Sequence, residues 1–163
     1  MPEDTKMVLL VEDDPDHAEL ILRSLQNHRV AIEVCHLSDG ETALDYLFRR
    51  RGFAELAARP HPHLILLDLR LPRIDGMEVL REIKASEELK DIPVVILSTS
   101  QAEGDVDRAY RNRANSYLVK PMEFDEFVRL IDELGSYWLS LNCKPEDRQE
   151  MSGCGQLVGT DNE

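Results

Sequence analysis

Two kinds of apolar pattern alternate along the chain. Residues 7–11 form a short apolar run bounded by acids, too short for a helix, which predicts a strand. Residues 15–27 place Ala18, Ile21, Leu22 and Leu25 on one helical face, and Pro15 suits a first turn. Residues 32–37 predict a second strand. Ser38 and Asp39 then offer capping oxygens ahead of a helix carrying Ala43, Leu44, Leu47 and Phe48. A third apolar run, 63–67, stops at Asp68. A proline-containing loop, 69–75, leads to Gly76 and a helix with Met77, Val79, Leu80 and Ile83. Residues 93–97 predict a fourth strand, ending in Ser98-Thr99-Ser100. A helix over 105–112 has Val106, Ala109 and Tyr110 on one side, and a short strand over 117–119 is stopped by Lys120-Pro121. The last helix, from about 123 to 139, is expected to bury Phe124, Phe127, Val128, Ile131 and Leu134.

Strands that are apolar throughout, alternating with amphipathic helices, imply a parallel sheet covered on both faces. Right-handed crossovers then make a doubly wound open sheet the expected α/β fold. In such sheets ligands bind beyond the carboxyl ends of the strands. Two stretches fall outside the alternation. Residues 49–62 are a longer connection than compact units need and include an apolar patch at Phe53, Ala54 and Leu56. From about Ser140 the chain is polar and aperiodic, which predicts one domain over 1–139 and a disordered tail over 140–163.

Composition narrows the possible partners. The 163 residues are 42% hydrophobic, enough for one core, and no apolar run approaches the ~20 residues of a membrane span. The opening MPEDTK carries acids where a signal peptide carries positive charge, so a cytoplasmic protein is expected. With 19 Lys+Arg against 32 Asp+Glu, the formal net charge is −13. Such a surface repels nucleic-acid phosphates and anionic lipid, so neither nucleic acid nor membrane is expected as a partner. Arg49-Arg50-Arg51 reads as a solvated helix end favoured by the macrodipole. Cys35, Cys143 and Cys154 have no CxxC or ligand-like spacing, and Cys35 reads as a small core residue.

The strand ends carry the chemistry. The first ends in Glu12, Asp13 and Asp14, the third in Asp68, the fourth in Ser98 and Thr99, and the fifth in Lys120. A parallel sheet brings all of them to one rim. Carboxylates gathered there repel one another unless a cation joins them, and a few oxygen ligands suit Mg²⁺. Lys120 can pair with Asp68 or with a phosphoryl oxygen, and the Ser98 hydroxyl can donate to another. A carboxylate so flanked is equipped to attack phosphorus and form an aspartyl phosphate. Each residue alone has an ordinary reading: Asp14 ahead of Pro15 is a helix cap, and Ser98 a turn residue. Four independent strand ends in the right order favour the chemical one.

These residues resemble the response-regulator receiver family of two-component signalling. VLLVEDDPDH is similar to its first strand with the acidic pair, and LILLDLRLPRIDGMEVL to its phosphorylated strand, loop and third helix. PVVILSTS resembles the fourth strand, and NSYLVKP the fifth. The resemblance runs from about residue 7 to 139 and implies five parallel strands in the order 2-1-3-4-5. It makes Asp68 the phosphoacceptor and assigns Mg²⁺ to Glu12, Asp13, Asp68 and the backbone carbonyl of Arg70, with Asp13 a direct ligand. Ser98 becomes the hydroxyl switch residue, Tyr117 the aromatic that turns inward on phosphorylation, and Lys120 the lysine whose bond to Pro121 is expected to be cis. The side chains of Arg70 and Ser100 would sit where the family tunes autodephosphorylation.

The long connection and the ending EFDEFVRLIDELGSYWL resemble stand-alone regulators paired with bacterial phytochrome kinases. The resemblance implies a sensor histidine kinase as partner, with a phytochrome, a histidine phosphotransfer protein and a homodimer as further candidates. Tyr110, Tyr117 and Trp138 are the candidate partner surface, although Trp138 can equally pack its own helix on the core. Two other functions compete. A Mg²⁺-dependent phosphohydrolase would want a second acid two residues after the nucleophile, where Arg70 stands, so no turnover enzyme is expected. A phosphate-independent pseudo-receiver would lack one of Asp13, Asp68 or Lys120, and all three are present.

Overall fold

The computed structural model describes residues 5–142. The expected tail lies largely outside the described residues. Five strands, β1 (Lys6–Val11), β2 (Ile32–Leu37), β3 (Leu64–Leu67), β4 (Val94–Ser98) and β5 (Ser116–Val119), form one parallel sheet in the order β2-β1-β3-β4-β5. Five helices connect and finish it: α1 (Pro15–Gln26), α2 (Gly40–Leu47), α3 (Gly76–Ala85), α4 (Glu103–Arg111) and α5 (Phe124–Ser136). This is the doubly wound, flavodoxin-like sheet that the alternating pattern implies.

The period-2 geometry of the strands divides the core into two layers. Leu9, Val11, Ile65, Leu67, Val94 and Ile96 face one side, where α2, α3 and Ala109 of α4 pack. Val8, Leu10, Leu64, Leu66, Val95 and Leu97 face the other, beneath Ile21 and Leu25 of α1 and Phe127, Ile131 and Leu134 of α5. Because β1, β3 and β4 are covered on both faces, almost every residue in them is apolar, which is why they read as continuous runs. Asp14 and Asp39 start α1 and α2: Asp14 accepts from the Asp16 and His17 amides, and Asp39 from the Thr42 amide at 2.7 Å.

Several local expectations change. The three arginines follow α2 rather than end it, with Arg49 and Arg51 at positive φ. They are also paired: Arg51 with Glu41 at 2.6 Å, Arg50 with Asp45 at 3.4 Å, while Arg49 donates to the Tyr46, Arg59 and Pro60 carbonyls. Within the long connection Ala54–Ala58 is a short 3-10 helix; Phe53 and Leu56 pack on the core, and Ala54 is exposed. Cys35 is half-buried against the same layer. Phe124, expected inside, is 67% exposed because it opens α5 beyond the sheet and faces the groove against α1. A π-helical turn, Tyr137–Leu141, prolongs α5.

Gly76 sets the distance between α3 and the end of β3. A Cβ there would lie 2.1 Å from the Asp68 carbonyl oxygen and 2.6 Å from Leu69 Cα, so the helix can start this close to the site only on glycine. Gly104, in the first turn of α4, has open space around the same position. Gly76→Ala is therefore expected to lower the unfolding free energy by about 1–3 kcal/mol in urea titrations. Gly104→Ala is expected to raise it by up to ~1 kcal/mol.

Candidate functional site

Strand register builds the site. Val11 pairs with Leu67, so Glu12 and Asp68 leave the sheet side by side; Ser98 pairs with Val119, so Lys120 emerges next to Ser98. Backbone hydrogen bonds secure these ends, from Asp68 N to Val11 O at 3.1 Å and from Lys120 N to Ser98 O at 2.8 Å. The strand ends thus deliver their side chains to one rim, as the sequence order implies.

Glu12, Asp68, Ser98 and Lys120 are buried, and Asp13 is exposed. The Lys120 ammonium spends its three donors on Glu12 Oε2 at 2.6 Å, Asp68 Oδ2 at 3.0 Å and His17 Nδ1 at 3.1 Å. An ammonium has no acceptor, so His17 accepts on Nδ1 and carries its proton on Nε2. Glu12 is further oriented through its Oε1, which accepts from the Asp14 amide, and its carbonyl, which accepts from His36 Nε2 at 2.8 Å. Burial raises the Glu12 carboxyl from 4.5 to about 7, against the opposing hydrogen bond from Lys120 and with the Asp68 charge adding to the rise.

One oxygen each from Glu12, Asp13 and Asp68 lies within 4.8 Å of the others. A mouth of three hard carboxylate ligands, one of them reaching solvent, fits Mg²⁺, which binds few protein oxygens and keeps several waters. Arg70, placed beside them by its amide on Asp68 Oδ1 at 3.1 Å, turns its side chain away to Asp105.

The remaining site residues form a second cluster on the α4 side. Ser98 Oγ accepts from Ser100 N at 3.2 Å, leaving its own hydroxyl proton to be donated. Tyr117 packs half-buried on the α2–α4 layer and donates its hydroxyl to the Ser100 carbonyl at 2.9 Å. Of the candidate partner surface, Tyr110 is 50% exposed on α4, whereas Trp138 packs on the α1–α5 layer with its ring edge-on to Tyr137 at 5.1 Å. The three do not share a face. The Lys120–Pro121 peptide is trans, contrary to expectation; trans is the lower-energy isomer of an X–Pro bond unless the surroundings override it. His17 is the site residue that motif reading missed. Its signal was its place in the first turn of α1, directly after the acidic strand end.

Among the described residues, no helix is long and apolar enough to cross a membrane. A family model for the response regulator receiver domain matches residues 8–132. The chain is 46% identical over 143 residues to the probable methanogenesis regulatory protein FilR2 of Methanothrix harundinacea (strain 6Ac), a match covering 88% of this chain and 90% of that one. It is 40% identical over 134 residues to response regulator Rcp1 of Synechocystis sp., covering 82% and 89%. The Mn²⁺-bound structure of Rcp1 superposes with a TM-score of 0.81, over 86% of this chain and 99% of that one at 38% identity. The phosphorylated cyanobacterial phytochrome response regulator RcpA superposes with a TM-score of 0.82, over 86% and 99%, at 39% identity. Strand order, the charged rim and relatives matched over nearly their full length agree: this chain belongs to the response regulator receiver family, whose members bind Mg²⁺ and are phosphorylated by histidine kinases.

Proposed function

We propose that Asp68 is the phosphoacceptor and that Lys120, Ser98 and the acidic pair Glu12 and Asp13 serve the transfer. The observation that carries this reading is the buried Lys120 ammonium, held between Glu12 and Asp68 at the carboxyl rim of the sheet. An Asp68 oxygen attacks the phosphorus of a phosphohistidine; the new P–O bond forms as the P–N bond breaks, and the imidazole leaves with the electron pair. Lys120 neutralises charge on the transferring group, and the Ser98 hydroxyl donates to one of its oxygens. Glu12, Asp13, Asp68 and the Arg70 carbonyl would hold Mg²⁺, which supplies further positive charge to the phosphoryl oxygens when bound.

Phosphorylation would draw Ser98 toward the phosphoryl group and pull on Ser100, whose carbonyl holds the Tyr117 hydroxyl. The surface of α4 and β5, including Tyr110, would then change with the population of the phosphorylated form. The likeness to the cyanobacterial phytochrome response regulator RcpA supports a phytochrome-type sensor kinase as donor. A histidine phosphotransfer protein and a second copy of the chain are the further partners of this reading, and a cytoplasmic location suits them all. Arg70, two residues past Asp68, argues against a turnover phosphohydrolase.

Intact-mass measurement after incubation with Mg²⁺ and acetyl phosphate tests the assignment. The wild type is expected to gain ~80 Da as a labile acyl phosphate, and Asp68→Asn none. No gain in the wild type would leave the pseudo-receiver reading standing, and a gain in the variant would move the acceptor elsewhere. The metal assignment has a separate check by thermal unfolding. Mg²⁺ at ~100 times its Kd is expected to stabilise the wild type by ~2.7 kcal/mol. Asp13→Asn is expected to lose most of that gain while unfolding normally without the ion, since Asp13 is exposed.

A further inference from the structure

Arg70 stands beside the phosphoacceptor yet does not turn toward it. Its amide donates to Asp68 Oδ1 at 3.1 Å, while its guanidinium reaches across to α4, with Nη2 3.5 Å from Asp105 Oδ2. That same carboxylate oxygen accepts the Ser100 hydroxyl at 2.6 Å. Ser100 in turn donates its amide to Ser98 Oγ and accepts the Tyr117 hydroxyl on its carbonyl. Ser100 is thus the point where Ser98, Tyr117 and Asp105 meet, and Asp105 ties that point to Arg70 of the phosphoacceptor loop. The Asp105 side chain is 20% exposed, against 74% for Arg70, so the anchor is the carboxylate and the mobile partner is the arginine.

We propose that Asp105 is a positioning residue that sets the lifetime of the aspartyl phosphate by competing with the phosphoryl group for Arg70. This rests on the reading of Asp68 as phosphoacceptor. Aspartyl phosphate is lost when a water oxygen attacks phosphorus: the new P–O bond forms, the bond to the Asp68 oxygen breaks with its electron pair, and inorganic phosphate leaves. A guanidinium laid on the phosphoryl oxygens from the loop side narrows the path of that water. While Asp105 holds Arg70 the path is open; when the phosphoryl group, carrying more negative charge than a carboxylate, captures Arg70, the path closes. The pair is solvent-exposed and therefore weak, which lets the exchange occur. The capture leaves Asp105 to the Ser100 hydroxyl alone and cuts the link between the Asp68 loop and α4.

The plain alternative is that Asp105 is a first-turn acid favoured by the helix macrodipole, with no influence on the phosphate. A double-mutant cycle separates the two. Wild type, Asp105→Asn, Arg70→Ala and the double variant are labelled with acetyl phosphate and Mg²⁺, freed of donor, and followed by intact mass. Asp105→Asn is expected to lengthen the lifetime by about two- to fivefold, the ratio that an exposed pair of ~0.5–1 kcal/mol yields. The double variant is expected to match Arg70→Ala. An equal effect of Asp105→Asn with or without Arg70 would overturn the proposal, as would a shortened lifetime. So would a loss of urea stability with the lifetime unchanged, which would assign Asp105 to the helix alone. Failure of the wild type to label would instead sink the phosphoacceptor reading, and this one with it.

Discussion

Two carboxyl groups, Glu12 and Asp68, are brought out of water side by side, and the arrangement depends on one ammonium placed between them. Removing a charge from water costs several kcal/mol even after relaxation, and mutual repulsion adds to it. Lys120 answers both with hydrogen bonds of 2.6 and 3.0 Å. Its position follows from the last strand: β5 pairs with β4 so that the residue after Val119 reaches the rim. Strand order is therefore an electrostatic requirement as well as a packing one. Were β5 to slip by one residue, the side chain at the rim would reverse face and the carboxylates would lose their cation.

Burial raises the Glu12 carboxyl to about 7 against the opposing Lys120 hydrogen bond, while Asp13 is exposed to solvent. A buried ion pair contributes little net stability, because desolvation offsets attraction. Its value lies in pre-orientation: the charges that a phosphoryl group meets are in place before it arrives, so little reorganisation accompanies transfer. The α4-side cluster of Ser98, Ser100, Asp105 and Tyr117 is held instead by single hydrogen bonds around Ser100 and by the partly exposed Arg70–Asp105 pair. One half of the rim is rigid and charged, the other adjustable.

What could be read from residue order was the part governed by long apolar runs and strand ends. β1, β3 and β4 are buried on both faces, so their runs are continuous and their ends sharp; Asp68 follows β3 directly, and Ser98 closes β4. Residues whose role depends on reach were not legible. His17 meets Lys120 across 103 positions of sequence, and Lys84 is a buried lysine whose ammonium donates to the Lys90 and Ile92 carbonyls and to Asn115 Oδ1. Helical spacing reads a lysine in a helix such as α3 as solvent-facing, and only the loop before β4 folding back over it makes the difference. Phe124 misled for the opposite reason: its spacing matches the buried stripe of α5, but the first turn overhangs the sheet. Arg49 reads as part of a solvated helix end, and its pairing with carbonyls depends on the path of residues 59–60.

The long connection between α2 and β3 enters the sheet at the amino ends of the strands, the rim opposite Asp68. It is closed by its own short 3-10 helix, by Phe53 and Leu56 on the core, and by the grip of Arg49. Its tip at Gly52 is exposed, adopts φ 88°, and has no heavy atom near where a Cβ would stand. The two rims of the domain differ in role, one carrying the carboxylates and Lys120 and the other this connection, and Glu41 joins them by pairing with both Arg51 and Arg73. Length can be added at the exposed Gly52 tip provided the Arg51–Glu41 pair is kept. An engineer who needs a reporter or a tether on this domain has room at Gly52, a strand's length away from Asp68.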